Sequence, residues 1–259
     1  MRHLRAVSRL LAATILTLLL VLVWAIGNVI VSRSTRRLNR WRHVIMRVWG
    51  RGILRIMGGR LTVEGPVPQP PFCLVSNHLG YMDIFVMAAT VQARLVSRAD
   101  LAHWPAIGWL ARHFGTLFLD RKRLRDIPYV ADQMKAVLQE EDGVVFFPEG
   151  TSSSGQDVLP FRSPLLNVPV ELGMPVHTAA IAYYRQAGNA TSEICWWGDV
   201  TFTDHLYHLL GLPGFEARIV FGSEVIQGTD RKQLATDAER MTRVLRERAS
   251  RNFHGPVPD

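Results

Sequence analysis

Only two cysteines, Cys73 and Cys195, occur in 259 residues. Both lie in apolar, strand-like runs, which excludes a disulfide framework and fits buried thiols in a reducing compartment. Acidic residues are missing from the start of the chain: residues 1–60 hold 12 of the 30 lysines and arginines and none of the 22 aspartates and glutamates. The net charge of +8 therefore belongs to the N-terminal segment, and the remainder, with 18 basic and 22 acidic side chains, is mildly acidic. Several reactive motifs are absent too. No HExxH and no paired-cysteine spacing offers a metal site. No G-x-S-x-G elbow presents a serine, because Gly150 and Gly155 enclose four residues rather than three. There is no internal repeat and no low-complexity tract, which leaves a chain long enough for one sizeable core and an appendage.

What is present begins with residues 10–31, 22 positions without a charge. At about 1.5 Å per residue they suffice to cross a hydrocarbon core of roughly 30 Å. The run is too long for a signal peptide, and Asn28-Val29-Ile30-Val31 offers no small-residue cleavage site. Arg2, Arg5 and Arg9 precede it, whereas Arg33, Arg36, Arg37, Arg40 and Arg42 follow it. The richer following side places the main domain in the cytoplasm if the segment spans the membrane; a shallow hairpin embedded from one face is the alternative. Over residues 36–60, Trp41, Val44, Ile45, Val48, Trp49, Ile53, Leu54, Ile56 and Met57 recur at three- and four-residue steps with arginines between them. That pattern predicts a basic amphipathic helix lying in an anionic leaflet with its tryptophans at headgroup depth. Lipid phosphates explain these arginines better than nucleic acid, since no basic recognition fold follows.

Residues 64–71, rich in proline, form a turn into an α/β pattern. Strands are expected over 72–75, 93–96, 116–119, 144–147, 174–184 and 193–197, with an edge strand over 217–221. Helices are expected from Ile84, over 107–114, from Asp126 to about 139, and over about 230–248. Residues 252–259 read as a frayed tail. In the turn after the first of these strands, His78 and Asp83 stand five positions apart in Asn77-His78-Leu79-Gly80-Tyr81-Met82-Asp83. An aspartate so placed can fix the imidazole tautomer and leave the other nitrogen free to take a proton. No serine or cysteine nucleophile accompanies the pair, which suits a reaction whose substrate brings its own hydroxyl. Two more strand ends carry chemistry. Leu119-Asp120-Arg121 delivers a guanidinium fork suited to phosphate or carboxylate. Phe147-Pro148-Glu149-Gly150-Thr151 feeds a carboxylate into a turn of glycines and hydroxyls able to bind a polar headgroup. His177 reads as an interior histidine.

The order NHxxxxD, GxxxxxR, FPEGT and then a Pro-Val strand, behind an N-terminal hydrophobic segment, resembles the glycerophospholipid acyltransferase family over roughly residues 60–225. The resemblance implies a glycerol-3-phosphate acyltransferase-like α/β domain (residues 61–259) behind a membrane anchor (1–60), on the cytoplasmic side of a bacterial-type inner membrane. It implies His78 as general base and Asp83 as its orienter. Asn77, Arg121, Glu149, Gly150, Thr151 and Arg162 would bind the acceptor, a lysophospholipid such as 1-acyl-sn-glycerol-3-phosphate. The donor would be acyl-CoA or acyl carrier protein, and neither a metal nor another cofactor is needed. Two positions depart from the family pattern: Ser152 stands where an arginine is common, and Gly80 where a serine is common. The block from Glu149 to Gly155 with Leu159-Pro160-Phe161-Arg162-Ser163, and later Trp196-Trp197-Gly198-Asp199, is similar to the branch that acylates lyso-ornithine lipid, an acceptor without phosphate. A lipid hydrolase or thioesterase with water at His78, and a non-catalytic membrane adaptor, are the readings from other classes.

Overall fold

Alternation along the central strands decides the layering, because successive side chains of a strand point to opposite faces. In β2 (Phe72–Ser76) every residue is buried. Phe72 and Leu74 enter one core and Cys73 and Val75 the other. The same division holds in β5 (Gly143–Phe146), where Val145 faces the first core and Val144 and Phe146 the second. Such strands are covered on both sides, the condition for a parallel sheet.

The structure, a computed structural model, describes residues 1–31, 34–120, 123 and 125–251. In chain order the remaining elements are α1 (Arg2–Val31), α2 (Thr35–Ile56), β1 (Gly59–Glu64), α3 (Met82–Thr90), β3 (Ala93–Arg98), α4 (Ile107–His113), β4 (Leu117–Leu119), α5 (Asp126–Gln139), α6 (Asn167–Glu171), β6 (Val176–Tyr184), α7 (Ala190–Glu193), α8 (Phe202–Gly211), β7 (Phe215–Phe221) and α9 (Arg231–Arg251). Among the described residues seven strands form one sheet, in the order β1-β7-β6-β2-β5-β3-β4. All neighbours are parallel except β6 and β7. Helices α2, α3 and α8 cover one face, and α5 and α9 the other. The carboxyl ends of the adjacent parallel strands β2 and β5 open at one edge of the sheet, the usual place for a site in an open α/β fold.

Three expectations are corrected. Residues 193–197 form no strand, since α7 closes at Glu193 and Trp196 and Trp197 instead donate their indole N–H groups to Val200 O and Thr191 O. β7 is not at the edge, because Gly59–Glu64 pairs outside it as β1, although the amphipathic pattern carries the helix through Arg60 and Glu64 reads as the start of the proline-rich turn. Gly58, at φ +79°, breaks α2 two residues beyond Ile56.

The third correction concerns what α2 packs against. Its apolar residues Ile45, Ile53 and Leu54 are buried in protein rather than facing lipid. A Cβ on Gly50 would stand 2.6 Å from Phe85 O, so α2 meets α3 at backbone distance. Asp142, fully buried before β5, binds His43 Nε2 at 2.8 Å and Arg94 Nε at 3.2 Å, pinning α2 to the sheet. The tryptophans hold α1: Trp41 donates to Trp24 O at 3.3 Å and Trp49 to Thr17 Oγ1 at 3.0 Å.

Candidate active site

His78 leaves the end of β2 and Asp83 enters the first turn of α3, where the helix N-terminus favours a negative charge. Asp83 Oδ2 accepts from His78 Nδ1 at 2.7 Å, Leu79 N at 2.6 Å and Gly80 N at 3.1 Å. Its Oδ1 accepts from the Tyr183 hydroxyl at 2.7 Å. The Asp83 side chain is fully buried, whereas His78 is 20% exposed. Four donors on one carboxylate leave it acceptor roles only, so the shared proton sits on Nδ1 and the Nε2 lone pair is free. The imidazole lies flat on Phe147, with centroids 4.3 Å apart and planes 15° apart. Burial raises the Tyr183 hydroxyl far above its ordinary range, and the Asp83 charge and hydrogen bond reinforce it, so Tyr183 remains a donor.

The turn after β5 is bound to the turn after β2. Glu149 Oε1 accepts from His78 N at 3.0 Å, and Ser153 N donates to His78 O at 2.9 Å. Burial pushes the Glu149 carboxyl up to about 8, against the opposing backbone N–H groups of His78 and Leu159. A cavity of about 220 Å³ opens from His78, walled by Trp49, Phe85, Leu110, Phe114 and Trp196, with Thr151 and Ser152 also in its lining. Arg98 at its lining is held by Asp100 at 3.0 and 2.7 Å.

Comparison with known proteins agrees with this arrangement. The family model described as Acyltransferase matches residues 60–182. A lyso-ornithine lipid O-acyltransferase of Rhodobacter capsulatus is 34% identical, over 78% of this chain and 76% of that one. The chain belongs to the acyltransferase family. A 1-acyl-sn-glycerol-3-phosphate acyltransferase of Neisseria meningitidis is 28% identical over 76% of this chain and 78% of its own. The crystal structure of the Thermotoga maritima 1-acyl-sn-glycerophosphate acyltransferase, PlsC, shares the fold with a TM-score of 0.71 at 18% identity, covering 98% of this chain and all of that one.

The acyltransferase places the residues expected at the site in three ways. His78 and Thr151 line the cavity, as does Ser152, the position that departs from the family pattern. Asn77 and Glu149 do not reach it: Asn77 is buried and clamps β6 through Ile181 N at 2.7 Å and Ile181 O at 2.9 Å, and Glu149 is turned inward onto the His78 backbone. Arg162 lies over Gly150, where a Cβ would stand 3.0 Å from its Nε, and both border a neighbouring cavity of about 150 Å³. Arg121 lies outside the described residues. Gly80, at φ +146°, has a structural reason, because a Cβ there would come within 2.8 Å of Trp196 N, which donates to Leu79 O. Sequence reasoning missed Tyr183 and Phe147. A tyrosine inside an apolar strand needs a partner for its hydroxyl, and that need was the available signal.

Tyr183→Phe removes one hydrogen bond to a buried carboxylate and is expected to lower stability by about 1.5–3 kcal/mol, measured by denaturant titration. Glu149 gives a pH test. Its carboxyl, raised from 4.5 to about 8, keeps a proton in the folded state that the unfolded chain has lost. Its contribution is therefore complete below the unfolded value and fades as pH rises through the folded one. Unfolding midpoints across that window should fall more steeply for the wild type than for Glu149→Gln; parallel profiles would refute the assignment.

Proposed function

We propose that the enzyme transfers an acyl chain from acyl-CoA or acyl carrier protein to the free hydroxyl of a lyso-lipid at a bilayer surface. One observation carries this reading: Nε2 of an Asp83-oriented His78 opens onto an apolar cavity, and no serine or cysteine among the described residues bonds its ring. His78 takes the hydroxyl proton as that oxygen attacks the thioester carbonyl, the C–S bond breaks, and the leaving sulfur receives the proton. Thr151 and Ser152, which line the same cavity, supply the hydroxyl or backbone N–H groups for the oxyanion in this reading. The apolar wall suits the donor's acyl chain.

Two acceptors fit this chemistry. Ser152 removes a cation beside His78, which favours the phosphate-free lyso-ornithine lipid, as does the 34% identity to the Rhodobacter enzyme. Arg162 over the Gly150 turn supports 1-acyl-sn-glycerol-3-phosphate, whose product is phosphatidic acid.

The membrane geometry we infer is an in-plane anchor. α1 is long and apolar enough to cross a bilayer, yet it lies against the domain at both ends. Near its start Arg9 donates to Leu210 O at 3.1 Å, in the last turn of α8, and to Leu212 O at 2.6 Å, just beyond it. Near its end Trp24 packs on His113 and Phe114, with centroids 5.6 and 6.0 Å away. A helix crossing away from the domain would leave one end behind. The opposite face exposes Leu4, Leu11, Leu18, Leu22 and Val29, an apolar stripe for one leaflet.

Acyl transfer in mixed micelles, with labelled acyl-CoA and acyl carrier protein and both acceptors side by side, tests the reaction. His78→Ala should lose about 10²–10⁴-fold in turnover while remaining folded. Free fatty acid as the sole product would refute transfer. For the anchor, His3→Cys and Arg37→Cys should both be shielded from an impermeant maleimide in intact cells and both react after permeabilisation, native Cys73 and Cys195 being buried. Labelling of one alone in intact cells would mean that α1 spans.

A further inference from the structure

A third cavity, of about 620 Å³, lies where α1, α2 and β1 meet and shares no residue with the two described above. Arg51 and Arg55 project into it from one face of α2, one turn apart. Arg60 enters from β1 and Arg9 from α1, while Leu54, Leu61 and Pro213 supply apolar surface. No carboxylate among the described residues lines it. Glu64, the nearest acid in sequence, is engaged by Arg218 and Arg248 at 3.4 and 3.3 Å. Arg51, Arg55 and Arg60 are exposed and have no carboxylate partner among the described residues.

Arg9 is partly committed, since its guanidinium also bonds Pro213 O at 3.1 Å, and it reaches across Gly58, where a Cβ would stand 2.6 Å from its Nη2. That glycine leaves room for the fourth guanidinium at the basin. Like charges brought together without carboxylates are costly unless an anion joins them, and planar guanidinium forks match phosphate oxygens.

We propose that this basin binds the phosphate of an anionic membrane lipid, as a headgroup site separate from the catalytic pocket that seats the hairpin on the bilayer. The lipid source rests on the in-plane reading of α1, whose exposed Leu4, Val7 and Leu11 flank Arg9 in sequence. The basin supplies anion preference, and the apolar stripe supplies affinity for any bilayer. Both contributions are measurable separately.

The test is vesicle binding of the full chain to phosphatidylcholine alone and to phosphatidylcholine containing phosphatidylglycerol. Wild-type, Arg51→Gln/Arg55→Gln/Arg60→Gln and Arg36→Gln/Arg37→Gln/Arg40→Gln proteins are compared, the last losing equal charge from the other end of α2. We expect the wild type to prefer the anionic vesicles by about tenfold or more, as several basic side chains near such a surface provide. The first variant should lose this preference yet bind neutral vesicles as before and retain acyl transfer in micelles, and the second should keep most of it. Equal losses in the two variants would reduce the basin to general surface charge and overturn the site. Inorganic phosphate that raises the Tm of the wild type but not of the first variant, with no vesicle preference, would assign a soluble anion and overturn the lipid. Binding to anionic vesicles only, dependent on Arg51, Arg55 and Arg60, would retain the site and reject the α1 stripe as anchor; binding to neither would reject both.

Discussion

A carboxylate in a protein interior is costly unless its oxygens are satisfied, and Asp83 is buried with four donors around it. Those donors come from the His78 ring, the backbone of the β2–α3 turn and the far strand β6. The chain must therefore bring β6 beside β2 before the charge can be buried at all. Asn77 serves the same pairing, with its amide matched at both ends to Ile181. The adjacency of β6 and β2 is thus a condition of having an oriented histidine, and the opposite neighbour β5 adds Phe147 under the ring and Glu149 under its backbone.

The hairpin is joined to this construction rather than appended to it. Met46 and Trp49 of α2 wall the cavity that opens at His78, together with Phe85 of α3 and Phe114 beyond α4. Trp49 packs on Phe85 at 4.9 Å and on Phe114 at 6.1 Å while its indole N–H reaches Thr17 of α1. One side chain thus touches α1, the pocket wall and α3, the helix whose first turn carries Asp83. Any displacement of α1 would be felt at the cavity beside His78 through Trp49.

The elements most legible in the sequence were those whose pattern and environment coincide. The all-apolar runs of β2 and β5 are buried on both faces, and α5 ends at Gln139 as its periodicity indicates. The His78–Asp83 pair was legible because its spacing alone brings a strand end to a helix start. Long-range geometry was not. Periodicity showed that α2 has an apolar face but not that α3 rather than lipid covers it. β1 was hidden because Gly59 and Arg60 read as the end of the basic helix and Glu64 as the start of the proline-rich turn, which leaves only Leu61-Thr62-Val63 between them. The inward turn of Asn77 and Glu149 follows from Ile181 and from the backbone of His78, partners 104 and 71 residues away. No local pattern records such distances.

The same geometry bears on transfer against hydrolysis. Both reactions need His78 to take a proton from an oxygen nucleophile, so the histidine cannot choose between them. The choice lies in what reaches Nε2. One side of the imidazole is covered by Phe147, and the space before it is lined by aromatic and aliphatic side chains with few polar groups to order water. With α1 in the plane of a leaflet, as proposed above, a lyso-lipid would arrive already oriented, headgroup at the surface and chain in the hydrocarbon. Its effective concentration at the pocket is that of a two-dimensional phase, and its hydroxyl enters with the apolar body that such a wall accepts. Water has neither advantage, and an enzyme that presents the dyad in this way favours acyl transfer without a nucleophile of its own.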